Sequence, residues 1–367
     1  MLKRRGTLWL LAVFILCVLA YFGLRSYTPS IRDGEGKEVP GSIASLEKIR
    51  IGAIEQYVLI RGRNRNNPVL LFLHGGPGMP TMFLAHEFQA PLENDFVVVQ
   101  WDRRGAGKSY SSAVPPESMN VEQEIADTRE LTNVLRQRFH KDKIYLVGFS
   151  YGSYLGMLMA KRYPELFRAY VAIGQEACSP AREHEIQDAW IREQALARGD
   201  KEALTKLRAG QALDREDWLF KYGAEIHSAT DWKPLLKAGL TAPEYNLVDV
   251  WRVKKGVSFS GRNMKFNAIQ GPLMDEVTSV DVPLYFFTGR FDYTDPFVCT
   301  TDYFERLHAP QKELVWFDHS SHFVFLDEPV GFADEMRRVK QAQEFEPGSA
   351  LIHETPLRTS PSASRVW

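Results

Sequence analysis

The feature that most constrains the fold of this chain is the motif GFSYG at residues 148–152. It follows an apolar run at residues 144–147 and precedes a small-residue stretch at residues 153–160 with the composition of a helix. In a sharp strand-to-helix turn of the G-x-S-x-G type, the serine is held exposed, and its flanking glycines let neighbouring backbone pass close by. The sequence therefore predicts a buried strand ending at a nucleophilic Ser150, and then a helix whose N-terminus directs partial positive charge at the site.

Further apolar runs alternate with helical patterns on either side of this motif. Strand-like runs lie at residues 42–51, 57–61, 69–73, 96–99, 170–173, 283–287 and 313–317, and helical spacing lies at residues 121–139 and 328–342. Strands that alternate with helices indicate βαβ units and a mainly parallel sheet. We predict an α/β core formed by residues 43–175 and 280–342, with helices flanking the central sheet. We predict that residues 176–279 form an inserted helical cap and that residues 343–367 form a disordered tail.

The first 25 residues differ from the rest of the chain. Basic residues at positions 3–5 precede residues 8–24, a run without a charged side chain. As a helix this run would be about 25 Å long, slightly short of a hydrocarbon core of about 30 Å. It is longer than the apolar part of a signal peptide, and no small-residue cleavage site follows it. We therefore expect an uncleaved transmembrane signal anchor at residues 1–25 and a linker at 26–42, with the remaining chain on the periplasmic or extracellular side; the alternative is secretion after cleavage.

Charge balance and missing ligand motifs argue against several classes of partner. The chain has 45 basic and 46 acidic side chains and a net charge of −1, so no single-sign field attracts nucleic acid. Neither H-E-x-x-H nor a pair of C-x-x-C motifs occurs. The GAGKS of the WDRRGAGKS turn at residues 101–109 lacks the first glycine of a phosphate-binding loop, because position 102 is Asp. We expect no nucleic acid, metal or cofactor, and a structural role for this turn in bracing the active-site loops; the oligomeric state is left open.

Cysteine content gives little information about the compartment. Three cysteines are too few for a disulfide framework. Cys17 lies in the apolar run, which leaves Cys178 and Cys299 as a possible pair. Two buried thiols are the favoured interpretation, and a disulfide is the alternative.

A serine hydroxyl needs a neighbouring base, and that base needs an orienting acid. His322 lies on the loop after the last predicted strand, where the fold needs its base; His319 is the competitor. Asp292 follows another buried strand and is the predicted acid, with Asp295 as the alternative. The order Ser, Asp, His along the chain is the order expected for this type of hydrolase.

The developing oxyanion needs backbone N–H groups aimed at it. One predicted donor is Tyr151, directly after the nucleophile. The other is Gly76, with Gly75 as the fallback, in the loop HGGPG at residues 74–78, whose glycines let the main chain approach a substrate. His74 itself is interpreted as a residue that fixes the loop.

Five motifs together resemble one known group of enzymes. HGGPG, WDRRGAGKS, GFSYG, GRFD at residues 289–292 and SSHF at residues 320–323 are similar to motifs of the prolyl iminopeptidase family of α/β-hydrolases, peptidase family S33. The resemblance covers about residues 68–175 and 280–340, and it implies an α/β-hydrolase fold. HGGPG discriminates best, since lipases and esterases more often carry HGGG. Epoxide hydrolases and haloalkane dehalogenases place Asp where this chain has Ser150.

The resemblance transfers the family's triad onto Ser150, Asp292 and His322, and its oxyanion loop onto Gly75 and Gly76. The family commonly has Asp-Gln-Arg-Gly where residues 102–105 read Asp-Arg-Arg-Gly, a departure in a supporting turn.

The resemblance also implies an activity: an aminopeptidase that releases N-terminal proline or a small apolar residue from short peptides. A buried ammonium needs a charged partner, which points to acidic cap residues. The candidates are Glu176, Glu183, Glu185, Asp188, Glu216 and Glu244, of which Glu176 is the best single choice because it follows a buried strand. Aromatic cap residues, Trp190, Trp218 and Trp232, are either core or pocket lining. The rival functions are an esterase or amidase for a small non-peptide substrate, and a binding protein without catalysis.

Overall fold

The computed structural model describes residues 25–208, 215–266 and 271–344, and its centre is one eight-stranded sheet. The strands are β1 (Ile43–Ile51), β2 (Ile54–Gly62), β3 (Val69–Leu73), β4 (Val97–Trp101), β5 (Ile144–Phe149), β6 (Phe167–Ile173), β7 (Leu284–Gly289) and β8 (Lys312–Phe317). Their order across the sheet is β1-β2-β4-β3-β5-β6-β7-β8. β1 and β2 form an antiparallel hairpin, β2 pairs antiparallel with β4, and all other neighbours are parallel.

Helices cover both faces of the sheet and form the cap. They are α1 (Ala85–Phe88), α2 (Val121–Phe139), α3 (Tyr151–Arg162), α4 (Pro180–Arg198), α5 (Lys201–Arg208), α6 (Arg215–Tyr222), α7 (Lys233–Thr241), α8 (Leu247–Asn263), α9 (Leu273–Glu276), α10 (Phe297–Arg306), α11 (Val324–Asp327) and α12 (Pro329–Glu344). α2 begins at Asn120, whose side chain accepts a hydrogen bond from the Gln123 N–H, and ends at a left-handed His140. The prediction of a parallel α/β core flanked by helices is therefore confirmed.

Alternate residues of β3 pack on opposite faces of the sheet, which explains its continuous apolar sequence. Val69, Leu71 and Leu73 belong to one buried cluster, and Leu70 and Phe72 belong to another. Because side chains of a strand point alternately up and down, a sheet covered on both faces needs apolar residues at every position. Parallel strands also bring their carboxyl ends to one edge, and that edge is where ligands bind in open α/β sheets.

The cap is inserted between β6 and β7 and has a small core of its own. Helices α4 to α9 lie in this stretch. Trp190 of α4 packs with Trp218 and Tyr222 of α6, so the two tryptophans stabilise the cap interior. Trp232 instead packs against Phe220 at a ring-centroid distance of 4.2 Å and reaches the cavity walls described below.

A disulfide joins the start of the cap to the core. Cys178, just after β6, is bonded to Cys299 in the first turn of α10. The favoured interpretation of two thiols is therefore wrong. The sequence separation of 121 residues concealed the pairing, because only the fold brings the end of β6 beside the helix that follows β7.

The chain enters the described region beside the cap. The Tyr27 N–H donates to the Pro243 carbonyl at 2.9 Å, and the Thr28 hydroxyl donates to Glu244 at 2.8 Å. The uncharged run of the predicted anchor, at residues 8–24, lies outside the described residues, as do residues 345–367 of the predicted tail. Among the residues that are described, no helix combines the length and apolar character needed to cross a membrane.

Candidate active site

Ser150 occupies a strained turn between β5 and α3. Its backbone has φ 54° and ψ −129°, a left-handed conformation that a non-glycine residue rarely adopts. Its N–H donates to the Ile173 carbonyl at 2.9 Å, which holds the turn against β6. A Cβ added at Gly152 would lie 2.2 Å from the Leu73 carbonyl oxygen, so the motif's second glycine is required by the close passage of β3.

His322 and Asp292 form a buried hydrogen-bonded pair at the same edge of the sheet. The imidazole Nδ1 lies 3.0 Å from Oδ2 of Asp292. The other carboxylate oxygen, Oδ1, accepts hydrogen bonds from the N–H groups of Thr294 and Asp295, both at 3.0 Å. The ring of Phe149, directly before the serine, packs against the imidazole with centroids 4.7 Å apart. The carboxylate therefore fixes Nδ1 as the protonated nitrogen and leaves Nε2 for another partner.

Neighbouring carboxylates control the protonation of His322. Burial lowers the pKa of this imidazole, but the charge and hydrogen bond of Asp292, together with the charges of Asp295 and Glu225, raise it by more. The net effect of these groups is a raised pKa of the imidazole. An imidazolium formed by proton transfer at this position is therefore strongly stabilised.

The structure also places the two alternative residues. Oδ2 of Asp295 is 3.9 Å from Nε2 of His322, so this aspartate faces the ring but not the nitrogen that Asp292 holds. His319 is exposed, and its backbone N–H donates to Glu328. His322 and Asp292 are thus the pair that the fold brings together.

The glycine loop after β3 lies against the serine. A Cβ added at Gly75 would be 3.1 Å from the Cβ of Ser150, and Gly76 has a φ of 116°. Tyr151 is the first residue of α3, a position where the N–H has no acceptor within the helix. Gly75, Gly76 and Tyr151 line the same cavity as Ser150.

His74 is buried and fixes this glycine loop. Its Nδ1 is 2.8 Å from the Gly75 carbonyl oxygen, and its Nε2 accepts a hydrogen bond from the Arg103 N–H at 3.2 Å. Burial and the nearby Arg103 guanidinium lower the pKa of His74 well below its usual range. The ring is therefore neutral and occupied on both nitrogens, in agreement with a structural role.

The turn at residues 101–109 braces the loop and the cap. Arg104 makes two hydrogen bonds to Asp127 at 3.0 and 3.1 Å, and the Lys108 ammonium contacts Asp249 of α8 at 2.5 Å. The carboxylate of Asp102 accepts hydrogen bonds from the Lys108 N–H and from the Tyr245 hydroxyl. These buried ionic contacts join the core to α8, as expected for a structural turn.

Ser150 and His322 open into a cavity of about 480 Å³ under the cap. Five carboxylic acids line this cavity: Glu176, Glu183, Glu216, Glu225 and Asp295. Of the predicted acidic candidates, Glu176, Glu183 and Glu216 thus reach the site. The other three lie elsewhere: Glu185 beside Arg182, Asp188 in a two-bond pair with Arg215, and Glu244 buried beside Thr28.

Glu225 is the site residue that sequence reasoning missed. It lies in the turn after α6, outside any periodic pattern, and is buried. The backbone of this turn is fixed to the histidine loop, because the His322 N–H donates to Ala224 and the Phe323 N–H donates to Glu225. Only the docking of the cap onto this loop makes the residue a neighbour of His322.

The cavity's carboxyl groups hold protons more tightly than exposed acids do. Burial, followed by the charge of Glu183, raises the pKa of Glu176 to about 7. Burial likewise raises the pKa of Glu183 to about 7 against a hydrogen bond from Gln187, and raises that of Glu225 to about 7. Burial also raises the pKa of Asp295 well above its usual range. A cation bound among these groups would release their protons and pair with the charges.

A second cavity adjoins the first across the glycine loop. Its volume is about 850 Å³, and it shares Gly76, Met79, Glu216 and Trp232 with the first cavity. Its other walls are mainly apolar side chains of α7 and α8 and their neighbours: Phe83, Leu235, Leu236, Tyr245, Val250, Val253 and Val257. An acidic cavity and an apolar cavity therefore meet beside Gly76.

The side chains of the described ranges offer no candidate metal centre. Three or more His, Cys, Asp or Glu side chains do not come together there in an arrangement that would hold a metal ion. The carboxylic acids under the cap instead surround an imidazole.

Comparison with known proteins places the chain in a family. Residues 68–329 match the family model for the alpha/beta hydrolase fold. A Bacillus subtilis protein named probable aminopeptidase YbaC is 31% identical over 309 residues, which cover 81% of this chain and 96% of that protein. A proline iminopeptidase of Thermoplasma volcanium is 23% identical over 79% of this chain and 93% of its own length. The crystal structure of a Mycobacterium smegmatis proline iminopeptidase superposes with a TM-score of 0.60 at 16% identity, covering 82% of this chain and 98% of that one.

The fold, the strained serine turn and these relatives agree with one another, and the resemblance to prolyl iminopeptidases is confirmed. The chain belongs to the α/β-hydrolase fold family as a hydrolase of the serine-hydrolase type, related to proteins named aminopeptidase and proline iminopeptidase.

Proposed function

We propose that this chain is a serine aminopeptidase that releases N-terminal proline or a small apolar residue from short peptides. The observation that carries the proposal is that Ser150 opens into a cavity whose walls are rich in carboxylic acids. A free α-amino group is protonated near neutral pH, and a buried ammonium needs a charged partner. A cavity that must accept an uncharged ester has no need of this set of acids.

In the proposed first step, Oγ of Ser150 attacks the carbonyl carbon of the first peptide residue. Nε2 of His322 takes the serine proton, and Asp292 stabilises the imidazolium through its hydrogen bond with Nδ1. The carbonyl electrons move to the oxygen, which becomes an oxyanion. His322 then gives its proton to the leaving nitrogen as the C–N bond breaks, which leaves an acyl group on Ser150.

Water completes the reaction by the same route. His322 accepts a proton from the attacking water, a second oxyanion forms, and the imidazolium returns the proton to Oγ as the ester bond breaks. In both steps the oxyanion is stabilised by the N–H groups of Tyr151 and Gly76, with Gly75 as the alternative donor. Removal of a single donor of this kind costs about 2.7–4 kcal/mol in other enzymes.

Glu176, Glu183 and Glu225 are the proposed partners of the substrate ammonium. Each has a pKa of about 7, so each carries only part of its charge at neutral pH in the free protein. A bound ammonium lowers these pKa values, so that the three carboxyl groups become ionised. An N-acetylated peptide brings no positive charge, so it leaves the buried acids without a partner.

An esterase or amidase acting on a small non-peptide substrate is the second candidate. The observation that favours it is the apolar cavity of about 850 Å³ beside Gly76. Under the peptidase proposal the same cavity receives the leaving part of the peptide, so its apolar walls fit both candidates. The two differ in whether the substrate needs a free amine.

The experiment that tests the proposal compares three substrates on the full chain. They are proline naphthylamide, its N-acetylated analogue and a short-chain nitrophenyl ester, with Ser150→Ala as the inactive control. Cleavage restricted to the free-amine substrate, with a raised KM in Glu225→Gln and Glu176→Gln, would support the aminopeptidase. Equal turnover of the acetylated analogue would rule out the aminopeptidase and favour the second candidate. Turnover of the ester that these substitutions do not affect would have the same meaning.

We also infer that the cap and core function outside the cytoplasm. The support is the Cys178–Cys299 disulfide, since disulfides persist in oxidising compartments and are rare in the cytosol. Thiol trapping of the protein from its native cells, followed by mass spectrometry, tests this inference. Cysteines 178 and 299 recovered as free thiols would contradict it.

A further inference from the structure

Two neighbouring helices of the cap carry a concentration of exposed apolar side chains. Of the eleven large apolar side chains that are exposed in the described ranges, six lie on two neighbouring helices, α7 and α8. We name them the outer cap face: Leu236, Leu240, Leu247, Val248, Trp251 and Val257. Isolated exposed apolar residues are common on proteins, but a group concentrated on two helices indicates an interaction surface.

The charges on this surface are basic. Residues 233–263 contain six basic side chains and two acidic ones, and both acids, Glu244 and Asp249, are buried. Lys237, Lys254 and Lys255 are exposed among the apolar residues. The ammonium of Lys255 lies 5.4 Å from the ring centre of Trp251. Helices that lie in the interfacial region of a membrane have this composition, with apolar and aromatic side chains flanked by lysines.

The start of the described chain lies beside the same surface. The Tyr27 N–H is bonded to the Pro243 carbonyl, in the short connection between α7 and α8. Residues 8–24, which carry no charged side chain, end only three residues before Tyr27. Three observations of different kinds, apolar exposure, basic charge and the entry point of the chain, therefore meet at one side of the cap.

We propose that the outer cap face lies on an anionic lipid bilayer. Leu247 and Trp251 enter the boundary between headgroups and acyl chains, and the neighbouring lysines contact lipid phosphates. Basic side chains near an anionic lipid surface are attracted to it electrostatically. Leu236 and Val257 also line the apolar cavity, so the bilayer would border the opening of that cavity. The inference does not depend on the chemistry at Ser150.

Site-specific fluorescence in the full chain tests this orientation. Leu247→Cys carries an NBD label, in a chain whose Cys17 is replaced by Ser, and the matched control is Val330→Cys. Leu247 and Val330 are exposed by 62% and 67%, and each lies in the first turn of a helix. The vesicles contain phosphatidylcholine and phosphatidylglycerol, with doxyl-labelled lipid as the quencher.

We expect a blue shift and lipid quenching at position 247, and neither at position 330. Absence of quenching at both positions would overturn the proposal, because the domain would then stand away from the bilayer. A blue shift at position 247 without lipid quenching would also overturn it, since protein rather than lipid would then cover the face.

The electrostatic part of the proposal has its own test. Lys254→Glu combined with Lys255→Glu should reduce the quenching at position 247 in vesicles with phosphatidylglycerol and change it little in pure phosphatidylcholine. The matched control reverses two exposed lysines outside the face, Lys143→Glu with Lys201→Glu, and should leave the quenching unchanged. Equal effects of both pairs would overturn the role of the outer cap face.

Discussion

Oδ2 of Asp295 lies 3.9 Å from Nε2 of His322, on the side of the imidazole away from Asp292. In its ionised form, this second aspartate adds to the rise that Asp292 causes in the pKa of His322. Asp295→Asn should therefore lower that pKa, and the rising limb of kcat/KM against pH should move to lower pH because the base becomes neutral earlier. Asp295→Glu keeps the charge and should keep the limb near its original position. A limb that moves to higher pH in Asp295→Asn would contradict this account.

Gly174 lies against the imidazole of His322, so a side chain at this position would displace the ring. Its φ is 52°, and an added Cβ would lie 2.6 Å from both Cε1 and Nδ1 of His322. Gly174→Ala should push the imidazole out of place and lower kcat by on the order of 10²-fold, since a displacement of about 1 Å can have that effect. Steady-state kinetics and circular dichroism separate this loss from unfolding.

The control for Gly174→Ala is Gly261→Ala in α8. A Cβ at Gly261 would meet no atom within 4 Å, and the change should stabilise the helix by about 0.5–1 kcal/mol. Wild-type kcat in Gly174→Ala would show that the imidazole tolerates the displacement.

The pKa of Glu225 predicts how stability depends on pH. Burial raises this pKa from 4.5 to about 7, so the folded state holds the proton more tightly than the unfolded state. The stabilisation is fully present below about pH 4.5 and is lost as pH rises through about 7. Glu225→Gln removes that loss, so its free energy of unfolding should match wild type at about pH 4 and exceed it by on the order of 3 kcal/mol at about pH 8. Denaturant unfolding at both values measures the difference.

An exposed glutamate of the cap serves as the control for this measurement. Glu185→Gln changes the same chemical group at an exposed position and should produce no pH-dependent change of that size. If Glu225→Gln were less stable than wild type at pH 8, burial would not be the dominant influence on this carboxyl group.

The Cys178–Cys299 disulfide should contribute to stability. It closes a loop with a sequence separation of 121 residues, which includes the cap and Asp292. Cys178→Ser combined with Cys299→Ser should lower the free energy of unfolding by about 2–5 kcal/mol. Thermal unfolding of this variant and of Cys17→Ser, which should behave as wild type, measures the effect. A reductant should lower the melting temperature of wild type and leave the double variant unchanged.

The parallel core could be predicted because the burial of its strands is reflected in their residue types. Each position of β3 is buried, and residues 69–73 are apolar without interruption. The serine turn could also be predicted, because a G-x-S-x-G motif directly after an apolar run indicates it. In the structure, Gly152 indeed has no room for a side chain. The same reasoning placed Asp292 and His322 after β7 and β8, and the structure brings them within hydrogen-bond distance.

Contacts between the cap and the core could not be predicted in the same way. Glu225 lies in an irregular turn, and its position depends on how α6 docks over the loop of His322. The pairing of Cys178 with Cys299 depends on the placement of α10 beside the end of β6. These relationships join residues far apart in the sequence, and neither strand nor helix periodicity contains information about them.

Lys108 connects the start of the described chain to the rest of the molecule. Its ammonium donates to the Ser26 hydroxyl at 2.9 Å and contacts Asp249 at 2.5 Å, while the nearby Thr28 hydroxyl donates to the buried Glu244. A shortened chain for crystallisation or detergent-free assays should therefore begin at or before Ser26. A chain that starts at residue 30 would lack Ser26, which accepts a hydrogen bond from Lys108, and Thr28, which donates one to Glu244. The resulting loss of cap stability would lower activity by itself, and a kinetic study could then mistake a truncation artefact for a property of the catalytic site.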